Sequence, residues 1–497
     1  MQKRTDTDLR WLVLLTVIVG TFLGRLDQTI VSLALPKIMD DFSITLSEAG
    51  WIATAYILAN AVFVPIWGKL GDTVGRKKVY LAGFAMFIVG SILAGLSWDL
   101  GSMLVFRVIQ AIAGSADYPT AMAILTVTFA DRKERAQALG IWSASFAAAV
   151  VFGPLIGGPL IDAFGWRSIF LINLPIGLIG IIMAMLFIDE SVSESKTKSF
   201  DWKGALTLGI ALSALVLVLD KGLEWGWLST TSLSCYATML VFAYLFYSIE
   251  RNHPEPIVDL KFFQSSAFVS ALANNFIVFL GMMGCVFIIP IYLQTFLGYS
   301  ATETGYIFIP MAFGMMLGAP IGASLVGKVP SRYVIAASTF GAAFGMFLFT
   351  GLDPRSSALD VIIPLFVMAF SIGFAMSQRT NIIASIVPES EIGSASSTLA
   401  LVRNIAGAFG IALFATIQKD AMENALILLS QNSHIFAPTP EVIQQAVMLM
   451  ALKAQIISFR VVFLAGALVL LLGGILALLT DIRETDAKAR REVIVMD

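Results

Sequence analysis

Apolar residues in this chain come in long unbroken runs, with no strand-like alternation. A helix needs about 20 apolar residues to cross a bilayer. Stretches that meet the rule lie near 11–34, 49–67, 79–97, 100–127, 137–161, 168–188, 204–220, 231–249, 266–291, 303–325, 333–350, 358–378, 394–418 and 457–480. The pattern predicts an all-α polytopic membrane protein with 14 transmembrane helices. The Ser-rich stretch 189–203, DESVSESKTKSFDWK, reads as a flexible linker, and 250–265 is a second polar break. These breaks divide the chain into an N-terminal six-helix bundle (1–188), a linker with two extra helices (189–265), a C-terminal six-helix bundle (266–480) and a tail (481–497). The longest piece outside the spans is 419–456. Its apolar spacing, in EVIQQAVMLMALKAQI, predicts a surface helix at the outer interface, with a folded loop as the alternative.

Composition agrees with the pattern. The chain is 58% hydrophobic and 13% charged, with mean hydropathy +0.85, against about 45–50% and about 25% for a soluble domain. The net charge of −2 gives no reason to expect a nucleic-acid partner. Cys235 and Cys285 lie in apolar segments, so neither a disulfide framework nor a metal cluster is expected. His253 and His434 fall outside the spans and far apart, which argues against zinc or haem. There is no G-x-x-x-x-G-K-[ST] stretch and no visible nucleophile–base set. The expectation is a protein that is not an enzyme, carries no cofactor, and draws any energy from an ion gradient.

Lys and Arg crowd one set of connections, which holds Lys3, Arg4, Arg76, Lys77, Lys78, Arg132, Lys133 and Arg135. By the positive-inside rule that set is cytoplasmic, with both termini, in a multi-pass protein of the cell (cytoplasmic) membrane. Trp98, Trp166, Trp225 and Trp227 then fall at outer ends, as an interfacial belt requires.

Charges inside spans are the candidate chemistry. Residues 17–36, VIVGTFLGRLDQTIVSLALP, carry Arg25 and Asp27. A charge at bilayer depth costs about 2.5–3.5 kcal/mol on insertion scales, and such groups face a protein interior or a wet cavity. Asp27 can gain or lose a proton there. Arg107 and Gln110 share the fourth helix with Asp117. At 1.5 Å per residue, Arg25 lies about 21 Å from the inner start of its helix and Asp117 about 15 Å from the inner end of its own. The two can form a charge pair, or each can face a cavity and meet substrate. In the second bundle Asn274, Asn275, Gln294, Gln378, Arg379 and Arg403 are polar groups in or near apolar helices, where they either bond between helices or contact substrate. Gln28 and Gln110 are further candidate substrate contacts.

Several stretches resemble the major facilitator superfamily, and within it the fourteen-span drug:proton antiporter family. The likeness covers nearly the whole chain and is strongest over 22–180. Gly68, Gly71, Asp72, Gly75 and Arg76 match the superfamily loop between helices two and three, a conformational latch in that family. Asp72 can sit there at a helix N-terminus, where the dipole favours an anion. Arg107-Val-Ile-Gln110 resembles the intramembrane Arg motif linked to proton coupling, with Ala111 at a common Gly position. Gly153, Pro154, Gly157 and Gly158 resemble the antiporter motif of the fifth helix. Gly165-Trp166-Arg167 with Asn173-Leu-Pro175-Ile-Gly177, and Leu26–Val31 running on to Pro36, also match, although Ser32 replaces a common Asn. Arg403-Asn-Ile-Ala-Gly407 resembles a stretch of helix thirteen. Arg25 and Asp117 depart from the pattern.

The resemblance implies a major facilitator fold that alternates access and exports amphipathic compounds in exchange for protons, with Asp27 and Arg107 in coupling. Its partners are then a small-molecule substrate, protons and the lipid bilayer, and a monomer is expected. An exporter of one metabolite, siderophore or lipid is the alternative within transport; a channel or membrane receptor is the alternative outside it.

Overall fold

The computed structural model describes residues 7–129, 132–191, 201–253, 256–258, 260–325, 328–376, 378–379, 382, 392–432 and 440–479. Among them the regular structure is helical, with no strand. In chain order the α-helices are α1 (Thr7–Phe42), α2 (Leu46–Val74), α3 (Arg76–Gly95), α4 (Leu100–Gly114), α5 (Asp117–Thr128), α6 (Arg132–Phe164), α7 (Ser168–Leu171) and α8 (Asn173–Phe187). They continue as α9 (Trp202–Trp225), α10 (Thr230–Asn252), α11 (Ser266–Ile291), α12 (Ala301–Ala323), α13 (Ser331–Leu348), α14 (Ala358–Phe374), α15 (Ile392–Asn432) and α16 (Pro440–Leu479). Eleven candidate spans are long and apolar enough to cross a membrane. Among the described residues, shorter apolar helices lie within α6 (Leu155–Phe164) and at α14 (Ala358–Phe374).

Helix ends carry the chemistry that sets them. Thr45 and Ser300 close capping boxes with Glu48 and Glu303. Asp99 caps α4, and the Ser102 hydroxyl and amide beside it hold its carboxyl below the usual range. Gly75 joins α2 to α3 at φ 122°, a backbone state that glycine adopts without strain.

The two bundles meet unequally along their length. One apolar cluster joins them, with Leu26–Ile38 of α1 among Ile288, Leu293, Ala301, Ile307 and Phe414 of the second bundle. A second cluster, including Val17, Tyr80, Phe84 and Trp142, belongs wholly to the first bundle, and a third, including Phe268, Leu272 and Ile335, wholly to the second. These two lie toward the end of the molecule at which α1 begins, called here the terminal end. The packing of α1 on the second bundle is thus concentrated toward the distal end, while toward the terminal end each of these two clusters stays within its own bundle. Between them at one flank, α2 runs against α15.

The two extra helices are central in sequence and peripheral in space. α9 packs on α2 and α15, and α10 packs on α9. Only 6% of the apolar window of α10 is buried, so its faces are left to lipid.

The segment 419–456 departs from the expected interfacial helix. Its described residues continue α15 to Asn432 and α16 from Pro440, so the two spans run on as long antiparallel helices. No Gly or Pro interrupts 411–432, and Pro440 opens α16 at its first position, where a missing N–H costs nothing. At about 1.5 Å per residue the 41 residues of α15 reach about 60 Å, twice the hydrocarbon thickness. The tip at 433–439 and the tail at 481–497 lie outside the described residues.

Candidate functional site

The first bundle is organised around Asp27 in the middle of α1. Its carboxylate is buried and accepts from three donors on two helices: Arg107 Nη1 at 2.6 Å and Gln110 Nε2 at 2.9 Å from α4, and Asn173 Nδ2 at 2.9 Å from the start of α8. Arg107 and Gln110 sit one helical turn apart, so one face of α4 offers both groups. Gln110 Oε1 also accepts from Arg107 Nη1 at 2.6 Å. Asn173 Nδ2 bonds Ser91 Oγ of α3 at 2.7 Å, and Ser91 donates to the Phe170 carbonyl at 2.9 Å. The Arg107 guanidinium lies 4.1 Å from the Tyr56 ring centroid and 5.6 Å from that of Phe170. The charges are thus paired, hydrogen-bonded and roofed by aromatic faces. That is the arrangement in which a buried ion pair survives, and removing one partner costs about 3–5 kcal/mol.

Asp117 begins α5, below the break at Ser115–Ala116. Its Oδ2 accepts from Thr21 Oγ1 at 2.8 Å, and Thr21 accepts from Trp142 Nε1 at 2.9 Å. Its Oδ1 is buried and makes no hydrogen bond. Arg25 donates to Gln28 Oε1 at 3.1 Å, and its charge also acts on the Asp117 carboxylate.

The second bundle holds its own buried cation. Arg379 Nε donates to Asn274 Oδ1 at 2.9 Å, and Asn274 Nδ2 reaches Thr339 Oγ1 at 3.1 Å and the Gly473 carbonyl at 3.2 Å. Asn274 is therefore hydrogen-bonded within its own bundle. Gln110 is likewise enclosed, serving Asp27 and Arg107. Asn275 accepts from Arg403 Nε at 3.4 Å, and the Arg403 guanidinium lies 4.9 Å from the Phe279 ring centroid. Gln294 crosses between bundles at the distal end, donating to the Leu33 carbonyl at 2.9 Å. Gln378 accepts from Ser331 at 2.9 Å, within the second bundle.

Glycines of α6 set how closely it approaches its neighbours. A Cβ at Gly157 would come within 2.9 Å of the Ile30 side chain on α1, and one at Gly158 within 2.5 Å of Thr302 Cα on α12. Gly153 faces Thr29 of α1 in the same way. α6 runs unbroken across Pro154. Four residues beyond Gly158, Asp162 caps α12 from the other bundle, accepting from the Ala301 and Thr302 amides at 3.2 and 2.8 Å. Also at the distal end, Asp41 of α1 accepts from Trp166 Nε1 at 3.1 Å and Arg167 Nη1 at 2.9 Å.

In the loop signature, Gly68 and Gly71 let α2 approach Pro119 and Thr120 of α5. Asp72 falls in the last turn of α2, not at a helix N-terminus. The N-terminus of α3 is held instead by Glu190, which accepts from the Lys77 and Lys78 amides at 3.0 and 3.2 Å, while the Arg76 amide donates to the Ser191 carbonyl. Gly75 stands directly beneath that carboxylate.

The sequence marked Asp27, Arg107 and Gln110 as candidates. It gave Asn173 only as part of a motif and left Tyr56 and Ser91 unnoticed. A lone Asn among the apolar residues of a span was the available signal for Asn173.

Two packed bundles of apolar helices, one of them built around a buried charge network, are the architecture of a polytopic membrane transporter. The chain belongs to the Major Facilitator Superfamily, whose family model matches residues 17–411. It is 30% identical over 437 residues to the multidrug resistance protein Stp of Mycobacterium tuberculosis, covering 88% of this chain and 80% of Stp. It is 31% identical over 427 residues to the multidrug transporter protein MdtP of Bacillus subtilis, covering 86% and 78%. The fold matches a bacterial homologue of the human lysosomal transporter Spinster in an inward-facing, unoccupied conformation, with TM-score 0.68 and 18% identity over 97% of this chain and 99% of that one.

Proposed function

We propose that this transporter exports amphipathic compounds in exchange for protons, across the cytoplasmic membrane and with both termini in the cytoplasm. The energy source in this reading is the proton gradient, with no bound cofactor. The bundles over 1–188 and 266–480 rock about the distal contact and expose a cleft between them to each side in turn. The glycine-rich connection at Gly68, Gly71, Asp72, Gly75 and Arg76 acts as the latch of the terminal side. The names of the relatives support multidrug efflux, and the basic connections support the orientation.

The observation that carries the coupling is Asp27 on Arg107. The carboxylate accepts from three donors, one of them a guanidinium, so its link between α1 and α4 rests on charge-assisted hydrogen bonds. Taking up a proton removes its claim on Arg107 and frees α4 to shift against α1. Proteoliposomes with an imposed pH gradient test this, with ethidium as probe. Asp27→Asn keeps the shape of the side chain and should abolish gradient-driven ethidium transport, with protein yield and monodispersity retained. Gradient-driven transport at the wild-type rate by that variant would remove Asp27 from coupling.

A further inference from the structure

Asp117 has a chemistry that the Asp27 network does not use. Its Oδ2 has a single donor, the Thr21 hydroxyl, and its buried Oδ1 has none. A buried polar atom without a partner is costly, by about 1–3 kcal/mol or more. Beside it lies a cavity of about 20 Å³, lined by Gly20, Gly24, Gly83, Tyr80, Gly114 and Asp117 itself. A single water needs about 10–15 Å³ and two or more polar partners. Of its four glycines, Gly24 faces open space, where a Cβ would meet no atom within 4 Å, while Gly20, Gly83 and Gly114 let neighbouring side chains close around it.

The charged and titratable groups around Asp117 come from three helices. Arg25 of α1 is close enough for its charge to act on the carboxylate. Tyr80 of α3 lines the same cavity. Tyr56 of α2 brings its hydroxyl 3.0 Å from the Cβ position of Gly114, while its ring stacks on Arg107. From α6 comes Trp142, which does not titrate and holds Thr21 in place.

We infer that Asp117 is a second proton-carrying site of the transport cycle, paired with one water in the glycine-lined cavity. The inference rests on the proton-coupled reading and extends it from one carboxyl to two. A proton from bulk water is relayed through that water, which receives one proton as it gives one up, and Oδ1 forms an O–H bond directed back at the cavity. The proton leaves by the reverse step, to water reaching the cavity when the bundles rock. Asp27 and Asp117 thus divide the work. Asp27 trades its proton against a guanidinium, whereas Asp117 trades it against a water, and Tyr56 lies between the two.

The conformational equilibrium reads the proton count without a substrate. Spin labels are placed at the terminal end of each bundle in a Cys235→Ser, Cys285→Ala background in lipid nanodiscs, and distance distributions are measured against pH. Each linked proton changes the ratio of the two states by up to about tenfold per pH unit. Wild type should approach about a hundredfold per unit at its steepest, and Asp117→Asn only about tenfold. Thr21→Val, which keeps the carboxyl and removes its donor, should move the midpoint and keep the steepness; it serves if Asp117→Asn does not fold. Equal steepness in wild type and Asp117→Asn, or an unmoved midpoint in Thr21→Val, overturns the second site and leaves Asp27 coupling standing. A wild type with no response to pH overturns both.

Discussion

At the scale of single residues, two asparagines with the same apolar setting have unlike roles. Asn173 gives Nδ2 to the Asp27 carboxylate, and Asn274 gives its amide to Arg379, Thr339 and a backbone carbonyl. A hydrogen bond to a charged group contributes about 1.5–3 kcal/mol, and about 1.4 kcal/mol is tenfold. Asn173→Ala is therefore expected to slow gradient-driven transport by about tenfold or more, measured as initial rates in proteoliposomes. Asn274→Ala should instead lower the melting temperature, because it removes the Nε acceptor of the buried Arg379 guanidinium, while transport in the surviving folded protein stays proton-driven. Equal effects of the two on rate and melting would erase the distinction. The sequence showed Asp27 and Arg107 because a charge in an apolar run stands out. It did not separate Asn173 from Asn274, because an amide can serve either a carboxylate or a guanidinium and only the fold brings one of them close. Arg25 and Asp117 were matched by depth alone, and depth along a helix says nothing of azimuth; the donor that meets Asp117 Oδ2 is Thr21, which the sequence did not single out.

At the scale of elements, α6 shows what a glycine pattern specifies. Gly157 faces the movable Ile30 side chain, whereas Gly158 faces the backbone of α12. A methyl group against a side chain is absorbed by a rotamer shift, at about 1–3 kcal/mol for overpacking. Against backbone it forces the bundles apart. Gly158→Ala should therefore open the distal end, raising the thiol-labelling rate of a cysteine introduced at Thr302 several-fold. Gly157→Ala should leave that rate near wild type and show only a lower melting temperature. Matching labelling rates in the two variants would refute this assignment of α6 contacts. The segment 419–456 carries the converse lesson. Its polar composition and apolar spacing suit a helix lying on the membrane as well as an extension of α15 and α16, since both have one apolar stripe. What decides is packing: Gln418 bonds Ser458 at 3.3 Å, with Ala421, Ala425 and Ala454 buried, so each helix continues along the other.

At the scale of the whole molecule, the question is what holds the two bundles together at the distal end. An all-helical chain of many membrane spans was legible, because bilayer thickness fixes the length of an apolar run. The conformational state was not legible, because both states use the same helices and differ only in which ends touch. Among the described residues the distal contact combines apolar packing of α1 on the second bundle with two polar links, Gln294 to Leu33 and Asp162 to the start of α12. The Asp162 link is the more specific. It supplies an acceptor to two amides that would otherwise lack one and places an anion at the positive end of a helix, across the bundle boundary. Loss of such a cap costs about 0.5–2 kcal/mol, and one to two kcal/mol changes a two-state ratio by a factor of about 5–30. Asp162→Ala is thus expected to lower the ratio of terminal-open to distal-open molecules about fivefold, measured from spin-label distances at the terminal end. Asp41→Ala is the control, since Asp41 bonds Trp166 and Arg167 inside one bundle, and it should leave the ratio unchanged. If Asp162→Ala gave the wild-type distribution, the closure would rest on the apolar contact of α1 alone.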